Sequence, residues 1–97
     1  MVIYIDVDET ICNSPDKPDY TTSTPIIENI SKANKLYDDG NTIIYWTARG
    51  TVTGMDWKTT TLNQFKEWGV KFHDLKFGKP YYDLFIDDEY LHTENWI

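Results

Sequence analysis

The sequence predicts an α/β fold with a mostly parallel central sheet. Short apolar segments alternate along the chain with segments of helical periodicity, which is typical of strands joined by helical crossovers. Polar residues directly follow several of the apolar segments, and in such sheets ligands bind at the carboxyl ends of the strands. In chain order we predict strand, helix, strand, helix, strand and strand, at residues 2–6, 25–39, 42–47, 56–68, 70–77 and 83–87.

The first strand and the first helix are predicted from residue type and spacing. Residues 2–6 are apolar, short and partly β-branched, which favours a buried strand. The helix is expected to be capped by Ser23 or Thr24. Pro25 suits its first turn, and Gly40 is expected to end it.

The second strand and the second helix repeat this pattern. Residues 42–47 are again apolar and β-branched, and they are predicted to form a buried strand. The helix that follows is expected to begin at Thr53 or Asp56 and to end at Gly69. Its apolar stripe is predicted to consist of Trp57, Leu62, Phe65 and Trp68.

Length, composition and charge limit the class of protein. The 97 residues form one predicted domain, 1–97, of which 40% are hydrophobic and 26% charged, as in globular proteins. The net charge of -7 argues against nonspecific binding of nucleic acid, which needs a basic surface. Cys12 is the only cysteine, so no intrachain disulfide can form and a reducing compartment is expected. No apolar run approaches the roughly 20 residues that span a bilayer, so we expect a cytoplasmic protein without membrane contact.

Acidic pairs follow two of the predicted strands. Asp6 and Asp8 come at the end of the first strand, and Asp87 and Asp88 follow the last one. If these strands lie parallel, the carboxylates meet at one edge of the sheet and repel one another unless a cation lies between them. Carboxylate oxygens suit Mg²⁺, so the sequence predicts a magnesium site there.

The same residues could support phosphoryl transfer. Asp6 can attack phosphorus as a nucleophile, and Asp8 can protonate a leaving oxygen and later activate water. Thr47 offers a hydroxyl donor and Lys79 a positive charge for phosphoryl oxygens. Arg49 could contact substrate phosphate or sugar, with a surface ion pair as the alternative. The predicted substrate-binding residues are therefore Thr47, Ala48, Arg49 and Lys79.

These residues stand in the order of the four motifs of the haloacid dehalogenase (HAD) superfamily of phosphatases, which the chain resembles over nearly its whole length. The motifs are Asp6-x-Asp8-x-Thr10, then Thr47, then Lys79, then Asp87-Asp88. The stretches YWTARG, FGKPYYD and FIDDEY look most similar to the small capsule-biosynthesis phosphatases of that superfamily.

The resemblance implies a three-layer Rossmann-like core and a role for each motif. Asp6 would be the nucleophile and Asp8 the general acid and base, while Thr47 and Lys79 would bind phosphate. Mg²⁺ would be held by Asp6, the backbone carbonyl of Asp8, Asp87 and, directly or through water, Asp88.

Two features separate the chain from many members of this superfamily. Glu9 stands where many relatives have glycine; the branch that resembles RNA polymerase tail phosphatases also has Glu there. Segment 11–24, where a cap domain is often inserted, has only the size and composition of a loop. We therefore expect a capless, open site that acts on a large substrate or is closed by homo-oligomerisation.

The expected activity is Mg²⁺-dependent hydrolysis of a phosphomonoester, with a sugar phosphate or a nucleotide as substrate. A phosphoprotein phosphatase, a signalling domain of the response-regulator type and a noncatalytic phosphate-binding domain are the alternatives. Response regulators place a lone acceptor Asp in mid-chain and Lys last, whereas here the acidic pair follows Lys79. That order disfavours signalling, and the presence of every expected catalytic side chain argues against a noncatalytic domain.

Overall fold

The computed structural model describes residues 1–80, and the sheet within it is parallel. The elements are β1 (Val2–Asp6), β2 (Cys12–Asn13), β3 (Thr24–Pro25), α1 (Ile27–Asp38), β4 (Thr42–Trp46), α2 (Lys58–Trp68) and β5 (Asp74–Lys76). Strands β1, β4 and β5 form one sheet in that order. Both pairings are parallel, with Ile3 opposite Ile43 and Ile44 opposite Asp74. The prediction of an α/β fold with a mostly parallel, Rossmann-like sheet is confirmed.

Both helices pack on the same face of this sheet. Side chains alternate along a strand, so Ile5 and Tyr45 point to one face and Tyr4 to the other. Ile5 and Tyr45 are buried in one cluster with Ile30 and Ala33 of α1 and with Phe65 of α2. Both crossovers therefore cover one face, and residues 1–80 form two layers.

The start of α1 differs from the prediction because the residues just before the helix pair with β2. Thr24 and Pro25 pair antiparallel with Asn13 and Cys12, so they belong to a small hairpin and not to a cap. The N-cap residue is Ile26, which makes no side-chain capping bond. The expected cap by Ser23 or Thr24 is therefore wrong.

The start of α2 and the length of β5 are set by local side chains. Asp56 Oδ1 accepts the Lys58 N–H at 2.9 Å, and Gly69 ends the helix in the left-handed conformation that its position requires. The predicted third strand, 70–77, is shortened to β5. Before β5, His73 Nδ1 accepts the Ile43 N–H at 3.0 Å, so a side chain replaces part of the backbone ladder.

The strand predicted at 83–87 lies outside the described residues, as do Asp87 and Asp88. Neither of the helices within residues 1–80 combines the length and apolar character needed to cross a membrane.

Candidate functional site

A pocket of about 650 Å³ opens at the carboxyl edge of the sheet, where ligands bind in parallel α/β folds. We call it the carboxylate pocket because Asp6 and Asp8 line it. Ala48 and Lys79 also line the pocket, next to the ends of β4 and β5. The parallel sheet therefore brings together residues that are far apart in the sequence.

Asp6 is the open carboxylate of the pocket. Its side chain is 43% exposed, and Lys79 Nζ lies 3.3 Å from its Oδ2. Its Oδ1 accepts the Val7 N–H at 2.9 Å, which fixes the orientation of the carboxyl group. Partial burial raises the pKa of Asp6, and the charge of Lys79 opposes that rise. A nucleophile needs this combination of a fixed orientation and an accessible oxygen atom.

Asp8 is the enclosed carboxylate. The Arg49 guanidinium contacts it from one side, with Nη2 2.9 Å from Oδ1 and Nε 3.1 Å from Oδ2. The Ser14 hydroxyl donates to Oδ1, and Cys12 Sγ lies 3.5 Å from the same oxygen. The Asp8 side chain is 13% exposed, and that of Arg49 is 0% exposed. This arrangement holds the carboxyl group in one position.

Arg49 is placed where the sequence did not lead us to expect it. Its Nη1 donates to Thr61 Oγ1 at 3.0 Å and to Gln64 Oε1 at 2.6 Å, both on α2. Tyr20 packs on the guanidinium, with its ring centre 4.7 Å from Cζ. The ion pair considered as an alternative is present, but it is buried and not at the surface. Substrate contact by Arg49 stays a prediction, and the guanidinium in this structure is fully enclosed by protein.

Thr47 ties the end of β4 to Lys79. Thr47 is fully buried, and its hydroxyl oxygen accepts the Arg49 N–H at 3.1 Å. Its backbone carbonyl accepts the Lys79 N–H at 3.2 Å, which sets the position of Lys79 beside Asp6. The roles of Thr47 and Ala48 in phosphate binding stay predictions; Ala48 borders the pocket and the Thr47 side chain lies behind it.

The segment 11–24 forms one wall of the carboxylate pocket. Lys17 and Tyr20 line the pocket from this segment. Gln64 Nε2 donates to the Tyr20 carbonyl at 2.6 Å, and Glu9 Oε1 accepts the Ser14 N–H at 3.0 Å. These bonds attach the wall to α2 and to the turn after β1, so the segment lies beside the site as a fixed hairpin.

The fit of Mg²⁺ depends on which oxygen atoms remain open. Within residues 1–80 no three His, Cys, Asp or Glu side chains are grouped so that they could hold a metal ion. Asp6 offers a half-exposed carboxylate, which is a hard oxygen donor of the kind that Mg²⁺ prefers. Asp8 has its carboxylate committed to Arg49, which leaves its backbone carbonyl as the predicted ligand. The predicted ligands Asp87 and Asp88 lie outside the described residues.

The residues that hold Arg49 and Asp8 were not predicted from the sequence. On α2 these are Thr61 and Gln64, which lie three residues apart and beside Phe65 on the buried face. Polar residues within an apolar helical stripe were a signal, because a buried polar group needs a partner. Ser14 donates to Asp8, and the Ser23 hydroxyl accepts from Arg49 Nη2 at 3.4 Å. Neither serine gave such a signal, since serine is ordinary in a loop.

Comparisons with known proteins support the fold. No protein-family model matches the sequence, and no curated protein matches it either. A crystal structure of a structural-genomics target from Vibrio cholerae is similar, with a TM-score of 0.85 at 20% identity. The similarity covers 98% of this chain and 85% of that chain. At this level of identity the similarity establishes a shared α/β fold and says nothing of activity.

Proposed function

We propose that the protein is a Mg²⁺-dependent phosphomonoester hydrolase of the HAD type, with a capless Rossmann-like core and an aspartyl-phosphate intermediate on Asp6. The observation that carries the proposal is the pairing of an open and an enclosed carboxylate in one pocket. Asp6 is accessible and lies 3.3 Å from Lys79, while Asp8 is enclosed by Arg49. Two carboxyl groups in unlike surroundings are suited to the separate tasks of nucleophile and proton carrier.

The first half of the reaction transfers the phosphoryl group to the protein. The accessible carboxylate of Asp6 attacks phosphorus, the new Asp6 O–P bond forms, and the ester P–O bond breaks. The leaving oxygen takes a proton from Asp8, and the ammonium group of Lys79 stabilises charge on the phosphoryl oxygens. Mg²⁺, when bound, would neutralise negative charge between Asp6 and the substrate.

The second half of the reaction regenerates the protein. Asp8, now ionised, removes a proton from a water molecule, which attacks phosphorus. The Asp6 O–P bond breaks, and inorganic phosphate leaves. Asp8 recovers the proton that it gave to the leaving group, so the two halves balance.

A small phosphorylated metabolite fits the proposal better than a phosphoprotein. Glu9, which had left a protein substrate open, has local partners that account for it: the Ser14 N–H and, at 3.3 Å, the Lys17 ammonium. The predicted substrate therefore stays a sugar phosphate or a nucleotide. A homo-oligomer that closes the open site, and a cytoplasmic location, belong to the same proposal.

The decisive experiment is hydrolysis of p-nitrophenyl phosphate with Mg²⁺, with EDTA, and by Asp6→Asn. We expect turnover with Mg²⁺, loss of turnover with EDTA, and a fall of about 10⁴-fold or more in Asp6→Asn, since loss of a nucleophile removes the covalent pathway. Asp38→Asn is the matched control, because Asp38 is exposed at the end of α1 and pairs with Lys71. Normal turnover by Asp6→Asn would falsify the mechanism.

A further inference from the structure

We propose that α2, through Gln64 and Thr61, positions the Asp8 carboxyl group for proton transfer by holding the Arg49 guanidinium. The inference rests on the proposed function, because it assigns positioning residues to that reaction. Neither Gln64 nor Thr61 borders the carboxylate pocket, so both act through Arg49 and not on the substrate.

The guanidinium connects the helix to the carboxylate. On one side its Nη1 donates to Gln64 at 2.6 Å and to Thr61 at 3.0 Å. On the other side its Nε and Nη2 donate to Asp8 at distances from 2.9 to 3.2 Å. A guanidinium is planar and its donors point in fixed directions. The orientation that α2 imposes on Arg49 is therefore passed to Asp8.

The burial of this network argues against a role as ordinary core packing. Arg49 is 2% exposed, Thr61 0% and Gln64 8%. Phe65 on the same helix is buried in the core cluster, so α2 already has an apolar contact with the core without Thr61 and Gln64. Buried polar groups cost stability unless each finds a partner, and apolar residues at these positions would avoid that requirement. Thr61 Oγ1 and Gln64 Oε1 both accept from one charged group, the Arg49 guanidinium beside Asp8.

Gln64 also fixes the wall of the pocket. Its Nε2 donates to the Tyr20 carbonyl at 2.6 Å, while its Oε1 accepts from Arg49. Tyr20 borders the pocket and packs on Arg49. One side chain therefore sets the distance between the enclosed carboxylate and the wall that faces it.

The test compares two esters of similar size that differ in their need for a proton. p-Nitrophenolate leaves readily as an anion, whereas the leaving oxygen of phenyl phosphate depends on protonation. The measured quantity is the ratio of kcat/KM for the two esters, in which any inactive fraction of the protein cancels. In Gln64→Met we expect kcat/KM for phenyl phosphate to fall about 10–100-fold, a part of what general acid catalysis contributes. For p-nitrophenyl phosphate the fall should stay below about threefold, because the nucleophile is untouched.

A matched control and a second variant complete the design. Asn63→Met makes a similar change at the exposed neighbouring position of α2, and its ratio should equal that of the wild type. Thr61→Val removes the other bond to Arg49 Nη1 and should change the ratio in the same direction as Gln64→Met. If thermal melting shows that Gln64→Met does not fold, the ratio of kcat/KM measured for Thr61→Val decides whether the positioning role holds.

The outcomes separate the two proposals. Equal losses on both esters, or an unchanged ratio, would overturn the positioning role while leaving the hydrolase intact. A wild-type protein that hydrolyses neither ester with Mg²⁺ would overturn the proposed function, and the positioning role with it. A selective loss on phenyl phosphate in Gln64→Met or Thr61→Val, absent from Asn63→Met, supports the inference.

Discussion

Asp6 and Asp8 are two residues apart, yet their surroundings have little in common. Asp6 is half-exposed to the pocket beside the Lys79 ammonium group, whereas Asp8 is held by a buried guanidinium. Val7 between them is 0% exposed and packs in the core, so both carboxylates are anchored by the same residue. The difference shows that the role of a carboxylate depends on its partners more than on its place in a motif.

The largest predicted effect is on the alkylation rate of Cys12, whose Sγ lies 3.5 Å from the enclosed carboxylate Asp8. Burial, helped by the negative charge of Asp8, raises the pKa of Cys12 from 9.0 to about 12. The thiolate is the reactive form, so at pH 8 its fraction in the folded protein should be about a thousandfold smaller than in the unfolded chain. We expect iodoacetamide to alkylate Cys12 in the folded protein, in buffer, at least about a thousandfold more slowly than in the protein unfolded by urea. Rates within tenfold of each other would mean that the Asp8 side is open.

The second prediction contrasts the two carboxylates by their contribution to stability. Asp8→Ala leaves the Arg49 charge buried without its partner, and we expect a loss of about 3 kcal/mol in the free energy of unfolding. Asp6→Ala removes a half-exposed pair with Lys79, so its effect should stay within about 1 kcal/mol. Urea unfolding at neutral pH measures both. Equal losses from the two variants would remove the distinction between an enclosed and an open carboxylate.

The smallest predicted effect is the contribution of Asp6 to the pH dependence of the free energy of unfolding. Its pKa is raised above the ordinary value of 3.8, chiefly by burial, so the folded protein binds this proton more tightly than the unfolded chain. The contribution of Asp6 to stability is therefore present below that ordinary value and is lost as pH rises through the folded-state pKa. Because the side chain is half-exposed, the change should be below about 1 kcal/mol.

This contribution can be isolated by comparing the wild type with Asp6→Asn at pH 3 and at pH 7. Between these values the wild type should lose stability relative to the variant, as read from the urea midpoints. A relative gain for the wild type would show that its pairing with Lys79 outweighs the cost of burial.

Much of the fold could be predicted because local pattern decides it. β1 and β4 are continuous apolar runs with clear ends, and Gly69 marks the end of α2 by its conformation. The start of α1 could not be predicted, because Thr24 pairs with Asn13, eleven residues earlier, and no local rule foresees that pairing.

The convergence of the pocket residues could be predicted from the sequence, whereas the contacts that hold them in place could not. Asp6, Asp8 and Lys79 are brought to one pocket, as their places after strands indicated. The burial of Arg49 was missed because arginine in a loop is usually exposed, and its partner Asp8 is 41 residues away in the sequence. The acidic pair Asp87-Asp88 lies outside the described residues, so its convergence on this pocket stays a prediction.

The order of the strands in the sheet has a consequence for how the chain assembles. β1, β4 and β5 are neighbours in the same order in which a ribosome makes them, so each strand can dock on one that is already present. Asp6 and Asp8 are made first, Arg49 follows β4, and Lys79 follows β5. Both acidic groups are therefore synthesised well before their cationic partners, and the chain contains the Asp8–Arg49 pair before it contains the Asp6–Lys79 pair.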